Sequence, residues 1–303
     1  MKPSQASATA YLVAENIALL ARHDAARRSL VAPEAAKISA WLVETRGLLV
    51  SWAYHGKRHR LARLFFNWLE RLTIPGLQLH HALRKLALEE TARAAVAEGF
   101  TQILVWGAGF DTLALRLHRE FPAVRFIEAD HPATQAVKRR IIAQRGLAGD
   151  NFHLLPLDLT SPDATASVAQ STVYQPQAHT LFIAEGLLMY LTPSEIDALF
   201  GFVRRQRNAR FAFTFMETNA AGRVSFRNSA RAVDWWLRLR GEPFKWGLRR
   251  DELANFVAGQ GFALRAQLTA ADLRQKYLTA PDLRQALLAE GENICVADCL
   301  GED

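Results

Sequence analysis

A few residues at the ends of short apolar runs carry the chemistry available to this sequence. Gly107 and Gly109 interrupt the stretch QILVWGAGFDTLALRL, which runs from Gln102 to Leu117. A turn built on glycines lets the backbone come close to a ligand, because no Cβ stands in the way. Asp130 ends the next apolar run, VRFIEAD, 23 residues after Gly107. A carboxylate about 20 residues beyond a glycine turn is where ribose hydroxyls are held. Glu128, Asp158 and Glu185 likewise close apolar runs. One G-x-G turn is common, and a single acid after a strand is usually only solvated. Several acids in register with the turn point to one rim that binds a nucleoside. Arg84, in HHALRK, adds a cation that can clamp a carboxylate through two parallel hydrogen bonds.

The third glycine of the dinucleotide fingerprint is missing, and Asp111-Thr112 stands nearby instead. A carboxylate at a helix start repels a pyrophosphate, and here it is expected to cap the helix. The rim therefore suits a nucleoside without phosphates and with a positive charge, such as S-adenosylmethionine. His131 is expected to shape a helix start before Pro132. His80 and His81 either border the acceptor pocket or sit at surface helix positions, and the surface placement is favoured. Tyr190 either packs or turns its hydroxyl toward the reacting methyl. Trp235, Trp236 and Trp246 either line an acceptor pocket or pack an insertion. No catalytic base stands out, so the catalytic residues are unassigned, and this favours a carboxylate acceptor over a hydroxyl.

The elements that must position these groups follow from periodicity. Residues 1–100 read as helices: 9–20, a second from Pro33 to about Tyr54, a third from Arg58 to Leu72 and a fourth from His80 to Glu98. The third carries a broad stripe of Leu61, Leu64, Phe65, Trp68, Leu69 and Leu72. This block is expected to be a helical cap. Residues 101–303 alternate strand and helix, with strands at 102–106, 124–129, 152–157, 179–184 and 210–216. That alternation implies a parallel sheet covered on both faces, with ligands bound outside the carboxyl ends of the strands. Thr192 is placed to cap the helix from Pro193. An insertion at about 219–246 is expected to act as a lid. A helix at 249–260 and two final strands, 262–268 and 293–300, close the chain as a hairpin-like pair. A dinucleotide enzyme would continue with a second βαβαβ half, whereas one closing antiparallel strand suits a methyltransferase sheet.

Bulk composition is consistent with this. Half of the 303 residues are hydrophobic, enough for a full core without disulfides or metal clips. No apolar run reaches the roughly 18 residues of a membrane span. Met1 to Thr9 lacks the apolar segment of a secretory signal. Cys295 and Cys299 are expected to be reduced packing residues, and no metal site is read. A cytoplasmic enzyme is expected. The net charge of +7 comes largely from arginines between Arg204 and Arg250, read as scattered over solvated helix faces, with nucleic acid disfavoured.

WGAGFDTLALRL, FIEADHPATQAVKRR, LPLDL and AEGLLMYLT, in that order and spacing, resemble the leucine carboxyl methyltransferase family. The resemblance covers Pro75 to Leu191 well and is weaker from Gly241 to Phe262. It implies a doubly wound class I methyltransferase sheet, mostly parallel with its last strand antiparallel, beneath a helical N-terminal cap. It also implies S-adenosyl-L-methionine as cofactor and O-methylation of a carboxylate or hydroxyl on a small molecule or peptide. Residue by residue, the family's cofactor contacts fall on Arg84, Gly107, Asp130, Asp158, Leu159 and Glu185. A nicotinamide-dependent oxidoreductase is the rival within the fold class. A non-catalytic nucleoside-binding or scaffold protein is the rival outside enzymology.

Overall fold

The computed structural model describes residues 6–47, 59–206, 208–219 and 222–300. The expected continuation of the second helix to Tyr54 and most of the segment before Thr9 lie outside these residues, as do the side chains of Leu61 and Phe65. Among the described residues five helices precede the first strand: α1 (Ala8–Leu20), α2 (Ala25–Arg28), α3 (Pro33–Glu44), α4 (His59–Thr73) and α5 (Leu77–Ala97). Each begins where local chemistry allows it. Ser7 accepts from the amide of Ala10 at the start of α1, and Asp24 does the same for Arg27 at α2. Pro33 occupies the first turn of α3, where its missing N–H costs nothing. Gly76 precedes α5 with φ of 82°, a conformation that side chains with a Cβ rarely adopt.

From Gln102 the chain winds a seven-stranded sheet. In chain order it forms β1 (Gln102–Trp106), α6 (Leu113–Glu120), β2 (Arg125–Asp130), α7 (Pro132–Arg145), β3 (Phe152–Pro156), α8 (Ala164–Ala169), β4 (Thr180–Ala184), α9 (Pro193–Arg204) and β5 (Arg210–Met216). Then come α10 (Arg231–Arg240), α11 (Leu253–Gly259), β6 (Phe262–Leu268), α12 (Ala270–Tyr277) and β7 (Glu292–Cys299). The strand order is β3-β2-β1-β4-β5-β7-β6. The first five strands pair in parallel, and β7 inserts antiparallel between β5 and β6. The doubly wound sheet with its last strand antiparallel is therefore present. β6 and β7 pair antiparallel, as expected of a hairpin-like pair, with α12 lying between them in the chain.

β1, β4 and β5 are buried along their whole length. This is why they read as continuous apolar runs and not as alternating ones. On one face, Leu83, Leu88, Ile103, Val105, Leu117 and Phe126 share a core with α1 and α3. On the other, Leu104, Trp106, Phe182, Phe200, Phe211 and Phe213 form a second. The N-terminal helices thus pack on the sheet through a common core. Thr192 and Glu195 form a reciprocal capping box at the start of α9.

Several expectations change. The stripe on α4 faces outward: Leu64, Trp68, Leu69 and Leu72 are exposed. A helical period reports a face but not what covers it. The 219–246 insertion contains α10, and its Trp235 is exposed too. Trp246 instead packs at a tilt against Phe256, with ring centroids 5.4 Å apart. Among the described residues no helix is long and apolar enough to cross a membrane.

Candidate active site

The register places the carboxyl ends of three strands side by side. Trp106 pairs with Ala129 of β2 and with Ala184 of β4. The residues that follow, Gly107, Asp130 and Glu185, therefore stand on one rim. The chain leaves β1 through Gly107 and Gly109, both in the left-handed region with φ of 60° and 50°. The amide of Gly107 donates to the carbonyl of Ala129 at 2.8 Å. The amide of Gly109 donates to Oδ2 of Asp130 at 2.6 Å. Asp130 is thus fixed beside the turn. Burial pushes its carboxyl above the usual range, while the Gly109 amide and the Lys138 ammonium pull the other way.

Arg84 reaches the same rim from α5. It is buried and pinned on two sides. Nε donates to Glu185 at 2.8 Å, and Nη1 donates to both carboxylate oxygens of Glu292 at 2.6 Å. Nη2 makes no hydrogen bond within the described residues. A Cβ added to Gly186 would lie 3.5 Å from both Nη atoms, so this glycine lets the chain cross the guanidinium. Burial would lower the Arg84 pKa, but Glu292 and Glu185 outweigh it and raise it further. The arginine is a permanent cation held in one orientation with one donor edge left over.

Lys85 completes the cluster. Its ammonium bonds Asp111 at 2.7 Å and Glu185 at 3.1 Å. Asp111 therefore does not cap α6 as the sequence reading had it; Thr112 occupies the cap position with no side-chain bond. Burial disfavours the Asp111 anion, yet Lys85 and Lys138 bring its carboxyl down to about 2. Lys138 also donates to the Asp111 carbonyl at 2.5 Å.

Glu128 does not belong to the rim. It lies within β2, fully buried, in an ion pair with Lys138. Burial outweighs that ammonium and pushes its carboxyl up to about 7. Glu128 and Asp130 share a strand face, and only position along β2 separates them: Asp130 ends the strand beside the glycine turn, while Glu128 lies one step back in the core. Asp158 and the half-buried Leu159 follow β3 two residues past the Pro156–Asp130 pairing. Asp158 is exposed and bonds Thr160 through the hydroxyl at 2.7 Å and the amide at 3.0 Å.

His80 and His81 are buried, contrary to the surface placement read from the sequence. His81 faces Asn16 of α1 at 2.9 Å, and burial holds its pKa well below the ordinary value. His80 bonds Glu292 through Nε2 at 2.9 Å, and its Nδ1 is buried without a hydrogen-bond partner. Glu292, at the start of β7, is the site residue the sequence reading missed. It is 190 positions beyond β1 and joins the rim only because β7 pairs with β5, bringing it opposite Met216. Burial would raise its carboxyl, but Arg84 and His80 hold it far below the usual range. Tyr190 leans on Phe244, with ring centroids 5.5 Å apart. His131 caps α7 by accepting from Ala133, as expected.

The start of α1 roofs the turn. A Cβ on Gly109 would lie 3.2 Å from that of Ala10. Tyr11 packs edge-on against Phe110 at 4.7 Å. The amides of Ala8 and Thr9 donate to the two carboxylate oxygens of Glu242 in the insertion, a helix N-terminus meeting an anion.

The profile of the leucine carboxyl methyltransferase family matches residues 9–204. The chain belongs to this family. A protein of Saccharopolyspora erythraea assigned as an S-adenosyl-L-methionine-dependent methyltransferase is 28% identical over 196 residues, 59% of this chain and 67% of its own length. A protein of Frankia alni with the same assignment is 31% identical over 137 residues, 44% of each chain. The chain thus spans about half to two thirds of these curated relatives. A methyltransferase crystal structure from Thermobifida fusca superposes with a TM-score of 0.53 at 16% identity, over 98% of this chain and 96% of that one. That likeness supports the class I methyltransferase fold. Neither the nicotinamide nor the scaffold alternative gains support from these comparisons.

Proposed function

We propose that the protein transfers the methyl group of S-adenosylmethionine to an oxygen atom of a small molecule or peptide. The observation that carries this is Arg84. A buried guanidinium is braced by Glu185 and Glu292, keeps Nη2 for a ligand, and stands on one rim with the glycine turn and Asp130. The donor set fits the cofactor. Nη2 of Arg84 would hold its carboxylate, Asp130 its ribose hydroxyls, Asp158 and Leu159 its adenine end, and Glu185 its ammonium. When bound, the cofactor supplies a sulfonium-activated methyl. The chain's own task is alignment, which can supply roughly 7–11 kcal/mol by proximity. α1 and the insertion around Glu242 act as a lid that excludes water.

One observation favours a hydroxyl acceptor over the carboxylate that the sequence favoured. Glu292 orients His80 through Nε2, leaving Nδ1 unpartnered. An imidazole held by a carboxylate and free at its other nitrogen has the form of a general base. The test is release of S-adenosylhomocysteine with matched phenols and carboxylic acids. His80→Gln should lower kcat for phenols by about 100-fold or more, the usual worth of a positioned base, and leave carboxylic acids nearly untouched. Equal losses on both classes would remove His80 as base. No turnover of any acceptor by a protein that binds the cofactor would remove the enzyme reading.

A further inference from the structure

A second built site lies one strand further along the same rim. Glu217 follows β5 directly and is buried at the floor of an open cleft of about 450 Å³. Four guanidinium groups, of Arg223, Arg227, Arg249 and Arg250, line that cleft against the carboxylates of Glu217 and Asp251. Arg249 is spent on Asp251 at 2.7 Å. Arg227 and Arg250 each grip one oxygen of Glu217. Nε and Nη2 of Arg227 donate to Oε2 at 3.0 and 2.5 Å, and the same atoms of Arg250 donate to Oε1 at 2.9 and 2.6 Å. Asn293 donates to Oε1 at 2.8 Å.

This arrangement does more than satisfy a buried acid. Using the Nε–Nη2 edge of both arginines turns each Nη1 away from the carboxylate. Both side chains remain about half exposed, at 55% and 46%. Among the described residues Arg223 makes no ion pair and no side-chain hydrogen bond, only its backbone bonding Asn219. Two arginines share one carboxylate and a third has none, so the cleft keeps two uncompensated positive charges. Orienting a guanidinium before the ligand arrives removes much of the entropic cost of binding. Side-by-side guanidinium groups match the oxygens of a carboxylate or phosphate.

We propose that this cleft binds the doubly charged oxyanion of a ligand, a phosphate monoester or a dicarboxylate, through Arg223 and the free Nη1 atoms of Arg227 and Arg250. The cleft shares a sheet edge with the active site: Glu292 and Asn293 are consecutive in β7, and their side chains leave on opposite faces, one to Arg84 and the other to Glu217. The same anion can be the tail of the methyl acceptor or a separate ligand.

The site is read from the arginines alone, so its first test does not involve methyl transfer. Inorganic phosphate is titrated into the intact protein at low ionic strength and followed by calorimetry. One saturable site is expected, weakened at least tenfold by Arg223→Gln, a change that breaks no contact, and also by Arg250→Gln. Arg139→Gln, on the exposed side of α7, should leave it unchanged. The proposal is overturned if phosphate does not saturate at millimolar concentration, or if Arg223→Gln and Arg139→Gln behave alike. A second arm rests on the methyl-transfer reading and compares acceptors with and without a second anionic group. If the anion is the acceptor's own tail, Arg223→Gln raises KM for the dianionic acceptors alone and leaves kcat unchanged. If it is a separate ligand, phosphate binding falls while every KM stays the same.

Discussion

Asp111 shows how one residue carries both stability and a pH signature. Its carboxyl lies at about 2 instead of 3.8, so the folded chain ionises it more readily than the unfolded one. Its contribution is therefore fully present above about pH 3.8 and is lost as the pH falls through about 2. That depression is worth about 2 kcal/mol. Asp111→Asn should cost about that much at pH 7, and the deficit should shrink to about half by pH 3. Lys85 keeps Glu185 as a partner, so the variant leaves no orphaned charge. Urea unfolding across that range measures it, and a deficit that ignores pH would contradict the pairing. At this scale the sequence was legible where chemistry is local. Gly107, Asp130 and Arg84 are marked by type and spacing. Glu292 was not, because its role depends on a strand pairing from the far end of the chain. Burial of His80 was invisible for the same reason, since nothing local distinguishes a covered helix face from a wet one.

The elements were legible where a period or a cap is strong. β1 and β5 stand where the apolar runs placed them, and the Thr192 cap opens α9. α12 was missed because ADLRQKY is short and mostly polar. The exposed stripe of α4 shows the limit of a period, which marks a face without saying what covers it. α5 is the element on which the site depends, since it carries His80, Arg84 and Lys85. Its entry is set by Gly76, where an added Cβ would lie 2.4 Å from the backbone of Leu287 and Leu288. That contact is backbone against backbone, and φ is 82°. Gly76→Ala should therefore cost roughly 2–4 kcal/mol, through strain and overpacking together. A thermal melt reads this directly, and an unchanged midpoint would show that the 287–288 segment yields freely.

The whole molecule brings three distant parts of the chain to one rim. α5 delivers the cation, the parallel strands deliver the glycine turn and the acids, and the antiparallel β7 delivers the carboxylate that braces both His80 and Arg84. The positive charge follows the same logic. The arginines between 204 and 250 read as scattered along the sequence, yet Arg223, Arg227, Arg249 and Arg250 meet at one cleft. Arg210 is buried between Glu98 and Asp298. Sequence distance gave no hint of this gathering, because the bridges of Glu217 to Leu248 and of Thr218 to Val224 bring the two stretches together. The central claim is that Arg84 and Asp130 hold a sulfonium nucleoside between them. The most direct measurement is calorimetric titration of S-adenosylhomocysteine into the protein and into Arg84→Gln and Asp130→Asn. One site is expected, weakened roughly 10- to 100-fold by each change, the worth of a lost charge-assisted hydrogen bond. Binding of equal strength in all three proteins, or none at millimolar ligand, would contradict it.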